Sequence, residues 1–565
     1  MMKPGRNLAA LLGATTAISL LAGGIARAEG EEVILRLAPS HYDAMAENFN
    51  PYNLQVNASL VQDFAYLPLW IYNVHDPKHD FPALAQSFEV APDLLSVTYH
   101  LRPGLKWSDG TPLTAKDVKF TFDYAVAHPD FPIGLDYQNA ETGTGNITGA
   151  EVVDDLTVRF TLKNPDSLAH YGIGVTMPLP EHIWKDVANP NQFENKTPVG
   201  SGPWTEVKDY SRSAFKLCRN ANFYGNAENR IDCLQFPQFA TNEQVIAAFT
   251  SGELDWAGDG LTDPEQTFTA LSPDNKYWLP PDADVDLMLN TTRAPFNNLA
   301  FRKAVSVAID RDTLIKISTF GLTTPTRYPV GTGDAYASWL NEKVLAPYKD
   351  LLDYDPDRAR QILDGAGFVD ADGDGWRDNP DGSPLEFGIN VPSDWTDWAN
   401  AVATISENLQ DVGIHANMNG MNEGAWFDAI PGGDFDAFIM YTSLDPTPLI
   451  TYKSMFNPAT MVPGKIRELS VHQMRMPAIE AELARAAATV NPTVQQDAVT
   501  NIHKLVAENL PVISLFANPQ WYEYSTRHFD GWVTEGNVTM RPNLWVGTHE
   551  RVMHALQLVP KPATP

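Results

Sequence analysis

The chain switches repeatedly between a two-residue and a helical period of hydrophobic positions. Residues 33–37 alternate and predict a strand. Residues 87–101 predict strand, turn, strand around Ala91-Pro92-Asp93, and residues 151–162 repeat that pattern around Asp154-Asp155. Asp109-Gly110 predicts a turn, and Thr114 caps a helix through Asp117, Phe120, Tyr124 and Ala125. A short helix is expected at 179–184, and a glycine-rich loop at 198–204 leads into strands through 236. Helices follow at 242–249, 298–309 and 358–363. Two more fill 478–510, broken at Asn491-Pro492. Strands are expected at 284–289, ending at Asn290, and at 387–391, 435–440 and 512–516. No internal repeat is present, and the mixture is α/β to α+β.

The stretch after the strand at 387–391 carries the most information. Ser393 and Asp394 are N-cap residue types and Asp397 places a charge in the first turn. Trp398, Val402, Ile405, Leu409 and Val412 recur at helical spacing and Gly413 ends the run. Trp395 lies one turn earlier on the same stripe. Core packing accounts for both indoles. At the tip of a helix, however, Trp395 also offers a flat face beside carboxylates and amides, which is what a sugar ring needs.

Composition narrows the class. At 565 residues, two or three domains are expected, and 44% hydrophobic content is ample for packed cores. The formal net charge of −30 disfavours nucleic acid and anionic membranes as ligands. Lys3 and Arg6, the uncharged run 8–25 and Ala26-Arg27-Ala28 form the pattern of a cleaved signal peptide over residues 1–28. A membrane anchor is the alternative, since the run is nearly long enough to span. Removal of the leader's three basic residues takes the charge from −30 to −33. No cysteine follows the run, so export without a lipid anchor is expected. The two cysteines, Cys218 and Cys233, flank a short polar loop and are expected to bond in an oxidising compartment.

Six motifs occur in a telling order: Pro82-Ala83-Leu84-Ala85; Trp107-Ser108-Asp109-Gly110 with Leu113-Thr114-Ala115 and Asp117-Val118; Leu179-Pro180-Glu181-His182; Pro198-Val199-Gly200-Ser201-Gly202-Pro203; Ser251-Gly252-Glu253-Leu254-Asp255; and Phe301-Arg302-Lys303-Ala304-Val305. Together they resemble the periplasmic solute-binding proteins of peptide-type (family 5) ABC importers. The resemblance implies a bilobal binding protein with a ligand between its lobes. Residues 29–72, 197–285 and 505–565 would form the first lobe, 73–196 an extra subdomain and 286–504 the second lobe. A monomer that hands its ligand to the transmembrane permease subunits is expected, without catalysis and without a cofactor.

Peptide-binding members of the family place an aspartate near Leu444, within Tyr441-Thr442-Ser443-Leu444-Asp445-Pro446. The runs 393–398, 445–448 with Tyr452, 518–524 and Gly531-Trp532 instead resemble the cello- and manno-oligosaccharide branch. The expected ligand is therefore a β-linked oligosaccharide, with a di- or oligopeptide as the alternative. Expected contacts are Trp395, Asp397, Trp398, Asn400, Trp426, Trp521, Tyr522 and Asn290. An exported glycan hydrolase is a distant alternative, and no HExxH, GxSxG or P-loop pattern supports it. Asp370, Asp372, Asp374, Asp378 and Asp381 have calcium-loop spacing. A structural Ca²⁺ and a solvated acidic turn both fit that spacing.

Overall fold

The computed structural model describes residues 32–562 apart from 42–43, 54–57, 135 and 138–144; the leader expected over 1–28 lies outside the described residues. Two sheets organise the molecule. The first has seven strands in the order Asn275–Tyr277, Glu523–Ser525, Trp256–Ala257, Ile34–Ala38, Cys233–Pro237, Ala214–Arg219 and Trp204–Ser211. The second has five, in the order His415–Met421, Glu386–Pro392, Ala437–Tyr441, Pro281–Leu289 and Ile513–Pro519. A four-stranded antiparallel sheet, Ala85–Val90, Ser96–Leu101, Thr157–Leu162 and Ile147–Asp154, forms the extra subdomain and shares a hydrophobic core with the first sheet. The second sheet has its own core, and a helical layer over Leu449–Val506 has a third.

The local chemistry explains the elements. Thr114 and Asp117 form a reciprocal capping box on the helix Ala115–Ala127. Asn298 caps Leu299–Ala308 and Asn491 caps Pro492–Asn509, each through its side chain. Cys218 and Cys233 stand directly opposite each other on neighbouring antiparallel strands and are joined by a disulfide.

Two segments connect the lobes. The chain leaves the first sheet after Tyr277 and enters the second at Pro281; it returns between Pro519 and Glu523. They run side by side: Gln520 N donates to Pro280 O at 2.9 Å and Trp278 N to Tyr522 O at 3.0 Å. The expected division placed all of 505–565 in the first lobe and began the second at 286. Backbone pairing instead puts Pro281–Leu289 and Ile513–Pro519 together in the second sheet, because their hydrogen-bonding partners are each other. The crossover therefore lies at 278–280 and 520–522.

Candidate functional site: the seam between the lobes

The strands Glu386–Pro392 and Ala437–Tyr441 run parallel and end together, where ligands of open α/β sheets bind. The chain then turns into the helix Thr396–Asp411, with Trp395 at the N-cap position in place of the expected Ser393 or Asp394. Trp395 is half-buried. Its ring centroid lies 5.0 Å from Trp398 and 5.8 Å from Trp426, and Trp398 lies 6.1 Å from Tyr441. Beneath Trp395, Trp398 is 3% and Trp426 0% exposed, so these two are core.

Asp397, in the first turn of this helix, meets the other lobe. Trp521 Nε1 donates to its Oδ2 at 3.2 Å. Gly260 lies so close that an added Cβ would stand 3.2 Å from Asp397 Oδ1. Burial outweighs the bonds from the Trp398 amide and Trp521 and raises the Asp397 pKa to about 6. Two more contacts cross the seam nearby. Ser40 Oγ donates to both carboxylate oxygens of Glu423, at 3.3 and 3.1 Å, and Asn242 Nδ2 donates to Thr396 Oγ1 at 3.5 Å. Burial pushes Glu423 up to about 7.

The first lobe contributes a second acidic group. Glu523 Oε2 accepts from the Asp259 amide at 3.0 Å, and Asp259 Oδ1 lies 3.2 Å from His41 Nε2. Glu523 Oε1 and Asp259 Oδ2 have no protein partner. Neither acid was expected as a site residue. The available signals were a lone Glu in the aromatic run 521–524 and an acid between two glycines, Gly258-Asp259-Gly260.

Three expected contacts fall elsewhere. Tyr522 is fully buried in the first lobe's core, stacked on Tyr524 at 4.8 Å, with its hydroxyl donating to Val533 O at 3.1 Å. Trp521, its neighbour in the crossover segment, packs in a different cluster, with Phe249 and Phe268. Asn290 sits at the far end of the strand Pro281–Leu289 from the crossover; its amide donates to Gly433 O and Phe435 O and its carbonyl accepts from Thr292, closing a turn. Asn400 is exposed, because the buried stripe of its helix runs through 398, 401, 402, 405 and 409.

Further along the seam, Leu444 is packed, with its carbonyl accepting from Arg541 at 3.0 Å. Arg541 pairs with Glu550 at 3.2 Å. The Asp445 carboxylate accepts from Thr451 Oγ1 at 2.9 Å, and burial raises its pKa to about 6. A cavity of about 290 Å³ opens beside Tyr441, lined by Ser443, Ser454, Asn457, Thr460, Arg467, Glu468 and Leu469.

In the acidic loop, carboxylate oxygens of Asp370, Asp372 and Asp374 lie within 4.8 Å of one another and are exposed. Asp378 accepts from the Ala371 amide, and Asp381 closes a separate turn through Ser383.

Comparison with known proteins agrees with this architecture. The model of the bacterial extracellular solute-binding proteins, family 5 (middle region), matches residues 81–461. An ABC transporter peptide-binding protein of Brucella ovis is 27% identical over 443 residues, 76% of this chain and 77% of that protein. The glutathione-binding protein GsiB of Salmonella typhimurium is 29% identical over 297 residues, 51% of this chain and 53% of that protein. Among solved structures, the periplasmic oligopeptide-binding protein of Thermotoga maritima with mannohexaose bound superposes with a TM-score of 0.85 at 23% identity, covering 94% of this chain and 99% of that one. AppA of Bacillus subtilis, in complex with a nonapeptide, gives 0.75 at 19% identity, with 94% and 99% covered. Its two lobes, its paired crossover and the family match over most of its length make this chain a member of the bacterial extracellular solute-binding proteins, family 5, the substrate-binding components of peptide-type ABC importers.

Proposed function

We propose that the protein is an exported receptor that captures a short oligosaccharide between its lobes and presents it, as a monomer, to a membrane permease. The observation that carries this reading is the meeting of the lobes at a seam of carboxylates, where Trp521 of the first lobe, 4% exposed, donates to Asp397 at 3.2 Å and the half-buried Trp395 stands at the tip of the Asp397 helix. Indole faces bury the apolar C–H surface of a pyranose, and carboxylate oxygens accept from its hydroxyl rim. The cavity beside Tyr441, at about 290 Å³, lies on the second-lobe side, is lined by hydroxyls, Asn457, Arg467 and Glu468, and is at the small end of ligand pockets. The Thermotoga neighbour carries mannohexaose. Ligand contacts to both lobes would favour the closed arrangement, as hinge closure requires.

A di- or oligopeptide is the second reading, favoured by the names of the Brucella and Salmonella relatives. Leu444 in place of an aspartate, and the commitment of Asp445 to Thr451, weigh against a peptide held as in the peptide-binding members.

A thermal-shift screen of cello-, manno- and xylo-oligosaccharides against di- to pentapeptides tests the choice. A ligand at a hundred times its Kd stabilises by about 2.7 kcal/mol, a rise of a few degrees in a chain of this size. We expect an oligosaccharide to give that rise. A rise with peptides alone would overturn the sugar reading.

A further inference from the structure

Acids from both lobes line the seam: in the first the Asp259 charge acts on Glu523, in the second the Asp394 charge acts on Glu423, and His41 acts on both Asp259 and Glu423. Among the described residues, His41 is the one titratable base that touches them, 3.2 Å from Asp259. Ser40 and Trp521 supply neutral donors to Glu423 and Asp397. Glu523 is 0% and Asp259 5% exposed, yet each keeps a carboxylate oxygen without a protein partner. The Glu523 carboxylate is aimed into the group by its bond to the Asp259 amide.

Burying a carboxylate with an open oxygen is costly, and gathering several raises the cost through like-charge repulsion. The position of Glu523 does not need an acid. It sits in the middle of a sheet, opposite Ala257 and Tyr277, where an apolar side chain would pack at no electrostatic cost. The strain is visible in its pKa, which burial and then the Asp259 charge push well above the usual carboxylate range. Burial raises Asp259 as well.

We propose that Glu523, Asp259 and Glu423 form a subsite for a cationic nitrogen of the ligand, an alkylammonium group held between the lobes. An ammonium brings up to three donors and a positive charge to acids that have open acceptors. It removes the repulsion that opposes closure, so it binds the closed state in preference to the open one. The inference rests on the reading of this seam as the solute site and adds the charge of the solute to it. An amino sugar and a peptide amine share this chemistry.

The test is calorimetry on the whole protein near neutral pH, with matched probes: a glucosamine disaccharide against its N-acetylated form and cellobiose, and lysyl-glycine against its fully acetylated form. In at least one pair the ammonium probe should bind about tenfold or more tightly than its neutral partners. E523Q and D259N should each reduce that preference by about tenfold while leaving the melting temperature intact, since removal of a poorly satisfied buried charge does not destabilise. E423Q provides a second handle from the other lobe. Equal or tighter binding of the neutral partners, no heat from any ammonium probe at millimolar concentration, or full preference in E523Q and D259N would overturn the proposal. If neutral sugars bind as well as amino sugars, the oligosaccharide reading survives and this one falls. If only lysyl-glycine shows the preference, the reverse holds.

Discussion

Three tryptophans within about two helical turns of space have different fates. Trp426 touches Trp395, Trp398, Phe427 and Phe438 and is fully enclosed. Trp426→Ala should destabilise the free protein by about 3–5 kcal/mol through the cavity it leaves, read as a lower melting temperature. Asp286 behaves differently. It is fully buried on the strand Pro281–Leu289 of the second sheet with neither oxygen bonded, and burial raises its pKa to about 7 against the pull of Ser514 and Arg311. A carboxyl raised in the folded state binds its proton more tightly there than in the unfolded chain. Its contribution is therefore favourable below about pH 4 and is lost as pH rises toward 7. Asp286→Asn should flatten the fall in melting temperature between those limits and raise stability at neutral pH. An unchanged pH profile would contradict the assignment. The residue-scale reading of the sequence separated Trp395 from the stripe below it. It could not separate Trp426 or Tyr522 from cleft residues, because enclosure depends on which neighbours the fold brings from other segments.

Among elements, the helix Pro448–Met455 acts as a clasp. Its Lys453 reaches the extra subdomain of the first lobe, 3.0 Å from Asp136 and 3.4 Å from Asp166, and the Ser167 amide donates to Ala487 O alongside. The Lys453 side chain is 45% exposed, so the pair ranks with surface ion pairs worth up to about 1 kcal/mol. Lys453→Met should weaken ligand binding by no more than about fivefold, mainly by faster release, with the free protein melting as before. This clasp helix was not legible in advance: Pro446-Thr447-Pro448 reads as loop, although Thr447 caps the helix and proline opens it. The strand His415–Met421 was missed for a related reason. It is an edge strand, His-Ala-Asn-Met-Asn-Gly-Met, mostly part-exposed, without the apolar alternation of its neighbours. Helices with strong caps and stripes, such as Leu299–Ala308 and Thr396–Asp411, stood within a few residues of their expected places.

At the scale of the molecule, two lobes with separate cores are joined by two paired crossover segments and meet again at Trp521–Asp397, Ser40–Glu423 and Lys453–Asp136. The family and the two-lobe plan were legible because the motifs run in order along nearly the whole chain. The acids of the first lobe were not, since Glu523 and Asp259 meet only when the strand Glu523–Ser525 returns beside Trp256–Ala257. A receptor of this design should return any oligosaccharide that binds it unaltered after prolonged incubation, as chromatography would show; reproducible cleavage would move it into another class. The most direct measurement is calorimetric titration of the best-binding oligosaccharide into Trp395→Ala and Trp521→Ala, one change in each lobe, with melting of the free variants alongside. The account predicts that each loses at least about 2 kcal/mol of binding, and that half-buried Trp395→Ala does so with little change in melting. Early melting of both variants with unchanged affinity would contradict it.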